Sequence, residues 1–171
     1  MQLSTVQPLN PSTWLVAPAL SCALASVLLA LPIRIFGLGL PEPVFAMAPA
    51  FAWGLIRPSV LPPFVLVALG LFQDGLWGGA LGLWPLCLLS LYGGAFFMRR
   101  ILNGQDFWLL GAAYAAGCAL AFGVGVLLTT VVAGVVPNLV GVGLQLAVTV
   151  VLFPLGWALI DRFEDADVRF R

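Results

Sequence analysis

Gly70-Leu71-Phe72-Gln73-Asp74-Gly75-Leu76-Trp77-Gly78-Gly79-Ala80-Leu81-Gly82-Leu83-Trp84-Pro85 places one carboxylate, one amide and five glycines between two apolar runs. Asp74 is the only acidic residue between Glu42 and Asp106. A charge beside hydrocarbon is costly unless its surroundings compensate it. The stretch therefore reads as a turn at the rim of a membrane, with helices assembled on either side of it.

The rest of the chain supports that environment. Of 171 residues, 62% are hydrophobic and 8% are charged, with a mean hydropathy of +1.11. Soluble domains run at about 45–50% apolar and about 25% charged, which excludes a water-soluble fold. The apolar runs are continuous, as in Val16 to Leu31 and Ala112 to Val136. A membrane barrel would alternate in polarity over segments of about ten residues. The predicted class is all-α, a polytopic membrane protein with six transmembrane helices. Its parts are a lead over residues 1–13, a six-helix domain over 14–160 and a tail over 161–171.

Charge and cysteine content narrow the function. Net charge is zero and all seven basic residues are arginine, so no basic footprint for nucleic acid is present. There is no histidine, and no motif that supplies a metal site or a cofactor. Cys22, Cys87 and Cys118 lie far apart in apolar runs and read as small buried hydrophobes. The segment before Trp14 has no Arg or Lys. It lacks the charged start of a signal peptide, so the first helix is expected to be retained.

The spans follow from the punctuation. The first runs from about Trp14 to Leu31, with Pro18 in its first turns, where proline is tolerated. Pro32 ends it and Arg34 marks the far interface. The second, Val44 to Ile56, and the third, from Pro63 to about Leu76, are short against the roughly 20 residues an upright crossing needs. Arg57-Pro58-Ser59-Val60-Leu61-Pro62-Pro63 breaks any continuous helix between them. They form either two full spans or a re-entrant hairpin. The fourth span runs from about Gly79 to Met98 and closes at Arg99-Arg100. The fifth runs from Phe107 to about Val132. Pro137-Asn138 makes a turn, and the sixth span covers about Val140 to Ile160 with a kink expected at Pro154. The tail from Asp161 is expected to fray or lie on the membrane surface.

Arginine positions set the orientation. With six spans and the N-terminus in the cytoplasm, Arg57, Arg99, Arg100, Arg162, Arg169 and Arg171 fall inside and only Arg34 falls outside. The positive-inside rule favours this arrangement, and with it two full spans over the hairpin. The expected topology is N-in and C-in.

Within that topology Asp74 has three uses open to it. It can cap the fourth helix or the turn, it can pair with Arg34, or it can contact a partner or ligand. Catalysis receives little weight, because no second acid, histidine or base-paired nucleophile accompanies it. The glycines do not make a phosphate loop, since no Gly-Lys-Ser/Thr follows. They fit sharp turning and close helix approach instead. Ala113, Gly117, Ala121 and Gly125 recur every fourth residue on the fifth span. That small-residue stripe suits either packing within the bundle or docking of another protein's transmembrane helix. Ser90, Thr129, Thr130, Gln145 and Thr149 are further polar residues in the later spans. Gln145 is expected to face the bundle. The group is spread over three helices with no obvious convergence on a pocket.

From Pro41 to Arg100 the sequence resembles the MreD family, the membrane component of the bacterial rod-shape machinery. The resemblance lies in Ala50-Phe51-Ala52-Trp53-Gly54-Leu55-Ile56-Arg57-Pro58 and in Gly70-Leu71-Phe72-Gln73-Asp74-Gly75-Leu76. It continues through Gly79-Ala80-Leu81-Gly82-Leu83-Trp84-Pro85-Leu86 to an aromatic at Tyr92. Gln73 departs from the family pattern, which is usually apolar there. The resemblance implies a non-enzymatic subunit of the bacterial inner membrane, without a cofactor. It implies an MreC-like periplasmic scaffold as partner and, through it, a SEDS glycosyltransferase and a class B penicillin-binding protein. The residues it singles out for structure or partner contact are Gly70, Asp74, Gly75, Gly82, Arg57 and Pro58; Gln73 in the same turn, Arg34 as the outer-side arginine, and the stripe Ala113, Gly117, Ala121 and Gly125 join them from the reading of the residues themselves. The family is also similar in size and span count to the substrate-binding subunits of energy-coupling-factor vitamin transporters. That likeness supplies the alternative reading, with Trp53, Trp77, Trp84 and Gln145 as candidate lining of a ligand cavity.

Overall fold

The computed structural model describes residues 12–30, 42–56, 59–102 and 104–168. Arg34, Arg57 and Pro58 lie outside the described residues. Among the described residues the structure is all helical. A π-helical turn over Ser12–Val16 leads into α1 (Ala17–Ala30). Then follow α2 (Met47–Ile56), α3 (Leu61–Trp77), α4 (Leu83–Leu102), α5 (Phe107–Ala133), α6 (Leu139–Val151) and α7 (Phe153–Val168).

Among the described residues, three stretches are long and apolar enough to cross a membrane: Leu83–Leu102, Phe107–Ala133 and Leu139–Asp161. The last spans the junction of α6 and α7. The outer surface fits the same environment. Leu20, Phe64, Leu120, Val131, Val140 and Val151 are all 64% exposed or more. Soluble monomers rarely expose so broad an apolar belt.

The centre of the bundle is α2. Every residue from Met47 to Leu55 is buried, and a helix apolar on all sides belongs in a core. It packs chiefly on α4 and α7. Gly54 makes the first contact possible. A Cβ there would stand 2.8 Å from the Ala95 Cβ and 2.9 Å from the Tyr92 carbonyl oxygen. At ten residues, α2 is about 15 Å long.

The expected second span is corrected at its start. Helix begins at Met47, and residues 42–46 are non-helical. Pro43 lacks a donor and Pro49 cannot sit beyond a first helical turn without loss, so regular helix starts just before Pro49. The backbone freed by this break is satisfied from α6. The Thr149 hydroxyl accepts from the Val44 amide at 3.1 Å. Gln145 Nε2 donates to the Glu42 carbonyl at 2.9 Å. Buried irregular backbone needs such partners in an apolar bundle.

Side-chain contacts give the helix directions. Trp53 Nε1 donates to the Trp14 carbonyl and the Cys22 thiol to the Phe45 carbonyl, so α1 and α2 are antiparallel. Gly70 of α3 lies against Pro85 of α4, and Gly117 of α5 against Leu91 of α4. The Tyr114 hydroxyl of α5 donates to the Thr149 carbonyl of α6 at 3.3 Å. Successive helices therefore alternate in direction, with α6 and α7 running the same way. Asp74, Glu42 and Asn138 gather at one end, Ile56, Arg99 and Phe107 at the other.

Two more expectations are corrected. The sixth span breaks at Leu152 rather than kinking at Pro154. Pro154 becomes the second residue of α7, where its missing N–H costs nothing. The tail does not fray at Asp161, since α7 continues to Val168.

Candidate functional site

The turn between α3 and α4 is built around Asp74. Its side chain is 1% exposed. Oδ2 accepts from the Gly82 amide at 2.6 Å, and Oδ1 from the Trp84 amide at 3.0 Å. The Asp74 backbone carbonyl accepts from the Gly78 amide at 3.0 Å. One residue therefore ends α3 and starts α4.

The local sequence explains why the cap comes from a distance. A helix start leaves N–H groups without partners, usually met by a Ser, Thr, Asp or Asn side chain at the preceding residue. Here that residue is Gly82, at φ +94°. This conformation favours glycine, which brings no side chain. Asp74 supplies both acceptors from the previous helix. Its charge lies at the positive end of the α4 dipole, which compensates it. Of the three uses open to Asp74, capping α4 is the one its hydrogen bonds show. The pairing with Arg34 falls outside the described residues.

The close approach of α3 to α4 is equally specific. A Cβ on Gly70 would overlap the Pro85 backbone nitrogen and come within 2.6 Å of its Cα. Gly75, by contrast, faces open space. Gln73 is 1% exposed, and its Oε1 is buried without a hydrogen-bond partner among the described residues, as is Trp77 Nε1 one turn later. Trp77 packs edge-on against Trp84 at 4.9 Å between centroids. Trp84 packs in turn on Phe122 of α5 at 6.0 Å.

The small-residue stripe of α5 faces inward. Ala121 and Gly125 are buried. A Cβ on Gly117 would lie 2.6 Å from Leu91 Cδ1, and one on Gly125 3.1 Å from Cys87 Sγ. Ala113 packs against the core more loosely. The stripe seats α4, so this face is occupied within the bundle.

Beside the turn, α4, α5 and α6 enclose a cleft of about 90 Å³. Trp84, Cys87, Phe122, Thr129, Pro137 and Gln145 are among its walls. Here the polar residues depart from expectation, because Thr129 and Gln145 do meet at one pocket. Their spacing in sequence concealed it, since α5 and α6 bring them together only by antiparallel packing. Both are largely self-satisfied: Thr129 donates to the Gly125 carbonyl at 2.8 Å, and Gln145 to Glu42. Of the four candidate lining residues, Trp84 and Gln145 reach this cleft. Trp53 lies in the core. Among the described residues no three of Cys, Asp and Glu come together as metal ligands.

Sequence reasoning missed Thr149 as an organising residue. It is fully buried and joins Val44, Gln145 and Tyr114. Its only signal was a polar residue one helical turn after Gln145.

No protein-family model, no curated protein and no solved structure matches this chain.

Proposed function

We propose that this chain is a non-enzymatic membrane subunit of the bacterial cell-wall elongation machinery, of MreD type. It would cross the inner membrane six times with both termini in the cytoplasm. The observation that carries the reading is where the resembling residues fall. Gly70, Asp74, Gly82, Trp84 and Pro85 form one contiguous turn whose carboxylate is engaged by two backbone amides. A carboxylate committed to capping is poorly placed for proton transfer. What the turn offers outward is a rim of exposed small residues, Gly78, Gly79 and Ala80, ending in Leu81 at 84% exposure. A rim of this kind, held rigid from below, suits the docking of an MreC-like scaffold. That scaffold would link the chain to a SEDS glycosyltransferase and a class B penicillin-binding protein.

Alternating helix directions support six passes, and Arg99 and Arg100 at the end opposite Asp74 support the orientation. The cleft beside the turn, at about 90 Å³, is by itself smaller than the roughly 300–1,000 Å³ of small-molecule sites.

Affinity recovery from native membranes tests the proposal. The wild-type chain is expected to bring down a bitopic MreC-like protein and to restore rod shape in cells depleted of the native subunit. Asp74→Ala is expected to reduce both. Unaltered recovery and rod shape with both Asp74→Ala and Asp74→Asn would remove the turn from the partner site. Tight binding of a vitamin-sized ligand to the purified protein would replace the assembly reading with the carrier one.

A further inference from the structure

We infer that residues 139–146, the first half of α6, form a flap that swings about Thr149 and opens the cleft beneath it to the bilayer. The helix is unevenly attached. Of its 13 residues only Thr149 is buried, while Val142, Leu146 and Val150 pack against the core partly buried. Thr149 is tied to two neighbours. Its hydroxyl accepts from the Val44 amide at 3.1 Å, and its carbonyl accepts from the Tyr114 hydroxyl at 3.3 Å. Before Thr149, among the described residues, one side-chain hydrogen bond joins α6 to the rest of the bundle. Gln145 Nε2 donates to the Glu42 carbonyl at 2.9 Å.

The first half of α6 is not seated on α4. Leu83, Trp84 and Cys87 of α4 and Val142 and Gln145 of α6 line the cleft of about 90 Å³. Protein interiors are close-packed, so a gap of this size marks a contact that is not made. Lipid tails are as apolar as the bundle, and exposing Val142 and Leu146 to them carries no hydrophobic cost. Packing and hydrogen bonds hold a helix in lipid, and here the packing is incomplete. The Gln145–Glu42 bond is then the latch of the first half, and Thr149 its pivot. The chain on either side of α6 lets it turn. Gly134, at φ +66°, ends α5, and residues 134–138 are non-helical. At the far end the helix breaks at Leu152, while α7 is packed on α2. Hinges of this kind lie at the ends of elements. Asn138 Oδ1 accepts from the Val140 amide at 3.1 Å, so the first turn moves with the helix. The flap goes beyond the assembly role and does not depend on it.

Double electron–electron resonance on the full chain in lipid nanodiscs tests the inference. Spin labels are carried by Leu71→Cys in α3 and Val140→Cys in α6, with Leu71→Cys and Leu120→Cys in α5 as the reference pair. All three positions are exposed. Cys22→Ala removes the partly buried native thiol, and Cys87 and Cys118 are buried. The 71–140 pair is expected to give two distances and the reference pair one. Gln145→Leu is expected to raise the ratio of the longer 71–140 distance to the shorter about threefold or more, as loss of a neutral hydrogen bond implies. A single 71–140 distance with and without Gln145→Leu overturns the flap. Equal spread in the two pairs marks loosening of the whole bundle and also overturns it. A ratio unchanged by Gln145→Leu overturns the latch and the inference with it. Should Gln145→Leu fail to fold, a single 71–140 distance in the chain that keeps Gln145 overturns the inference by itself.

Discussion

A buried carboxylate in a bundle this apolar is tolerable only because both of its oxygens are used. Asp74 meets the amides of Gly82 and Trp84. Removing the side chain leaves donors unsatisfied, at about 1–3 kcal/mol for a buried group. Asp74→Ala is therefore expected to lower the unfolding midpoint in detergent, with Asp74→Asn between it and wild type. The amide keeps one carbonyl oxygen and presents an NH₂ to the other donor. Thermal unfolding followed by circular dichroism measures this. If Asn proved as damaging as Ala, two-point acceptance would be the wrong account. The sequence made Asp74 conspicuous through its isolation, and capping stood among its readings. It could not choose among them, because the choice depended on Gly82 and Trp84 returning to within hydrogen-bonding distance across the turn.

At the scale of elements, helix contacts are decided by where a Cβ is absent. Gly70 and Gly75 stand in the same helix and look alike in sequence. One lies against the Pro85 backbone and the other meets nothing within 4 Å. Gly70→Ala must push α3 and α4 apart, since backbone cannot swing aside as a side chain can. A cost of about 1–3 kcal/mol is typical of such overpacking. Gly75→Ala is expected to be neutral or to stabilise by about 0.5–1 kcal/mol, because alanine is the better helix former. Opposite signs for the two, read as shifts in the unfolding midpoint, are the expected outcome; equal effects would refute the contact.

The stripe at Ala113, Gly117, Ala121 and Gly125 was legible as a packing face, but its partner was not. Helical periodicity shows which residues share a side, and says nothing of what lies across from them. The same limit hid the role of α6. Thr149 and Gln145 satisfy a break in the chain about a hundred residues earlier.

For the whole molecule, the arrangement of ends is the claim most open to experiment. The Asp74 turn and the α4–α5 loop lie at opposite ends of the bundle. Cysteine introduced at Leu81, in the turn, is expected to react with a membrane-impermeant maleimide from the periplasmic side. Cysteine at Gln105, exposed in the loop, is expected to react only after the membrane is opened. Labelling of both from one side would contradict the six-pass arrangement. The native cysteines interfere little, as Cys87 and Cys118 are buried and Cys22 is partly so.

Composition alone determined that this chain is helical and suited to lipid, because its apolar runs are too continuous for any other solution. Proline, glycine and arginine placed most helix ends to within a few residues, since each acts on the backbone or the interface locally. Other features arose only with the tertiary structure. They are the burial of α2 on every side, the inward turn of the α5 stripe, the meeting of Thr129 with Gln145, and the use of Asp74 as a cap for a later helix. Each depends on residues distant in sequence being brought side by side, and no local preference encodes that distance.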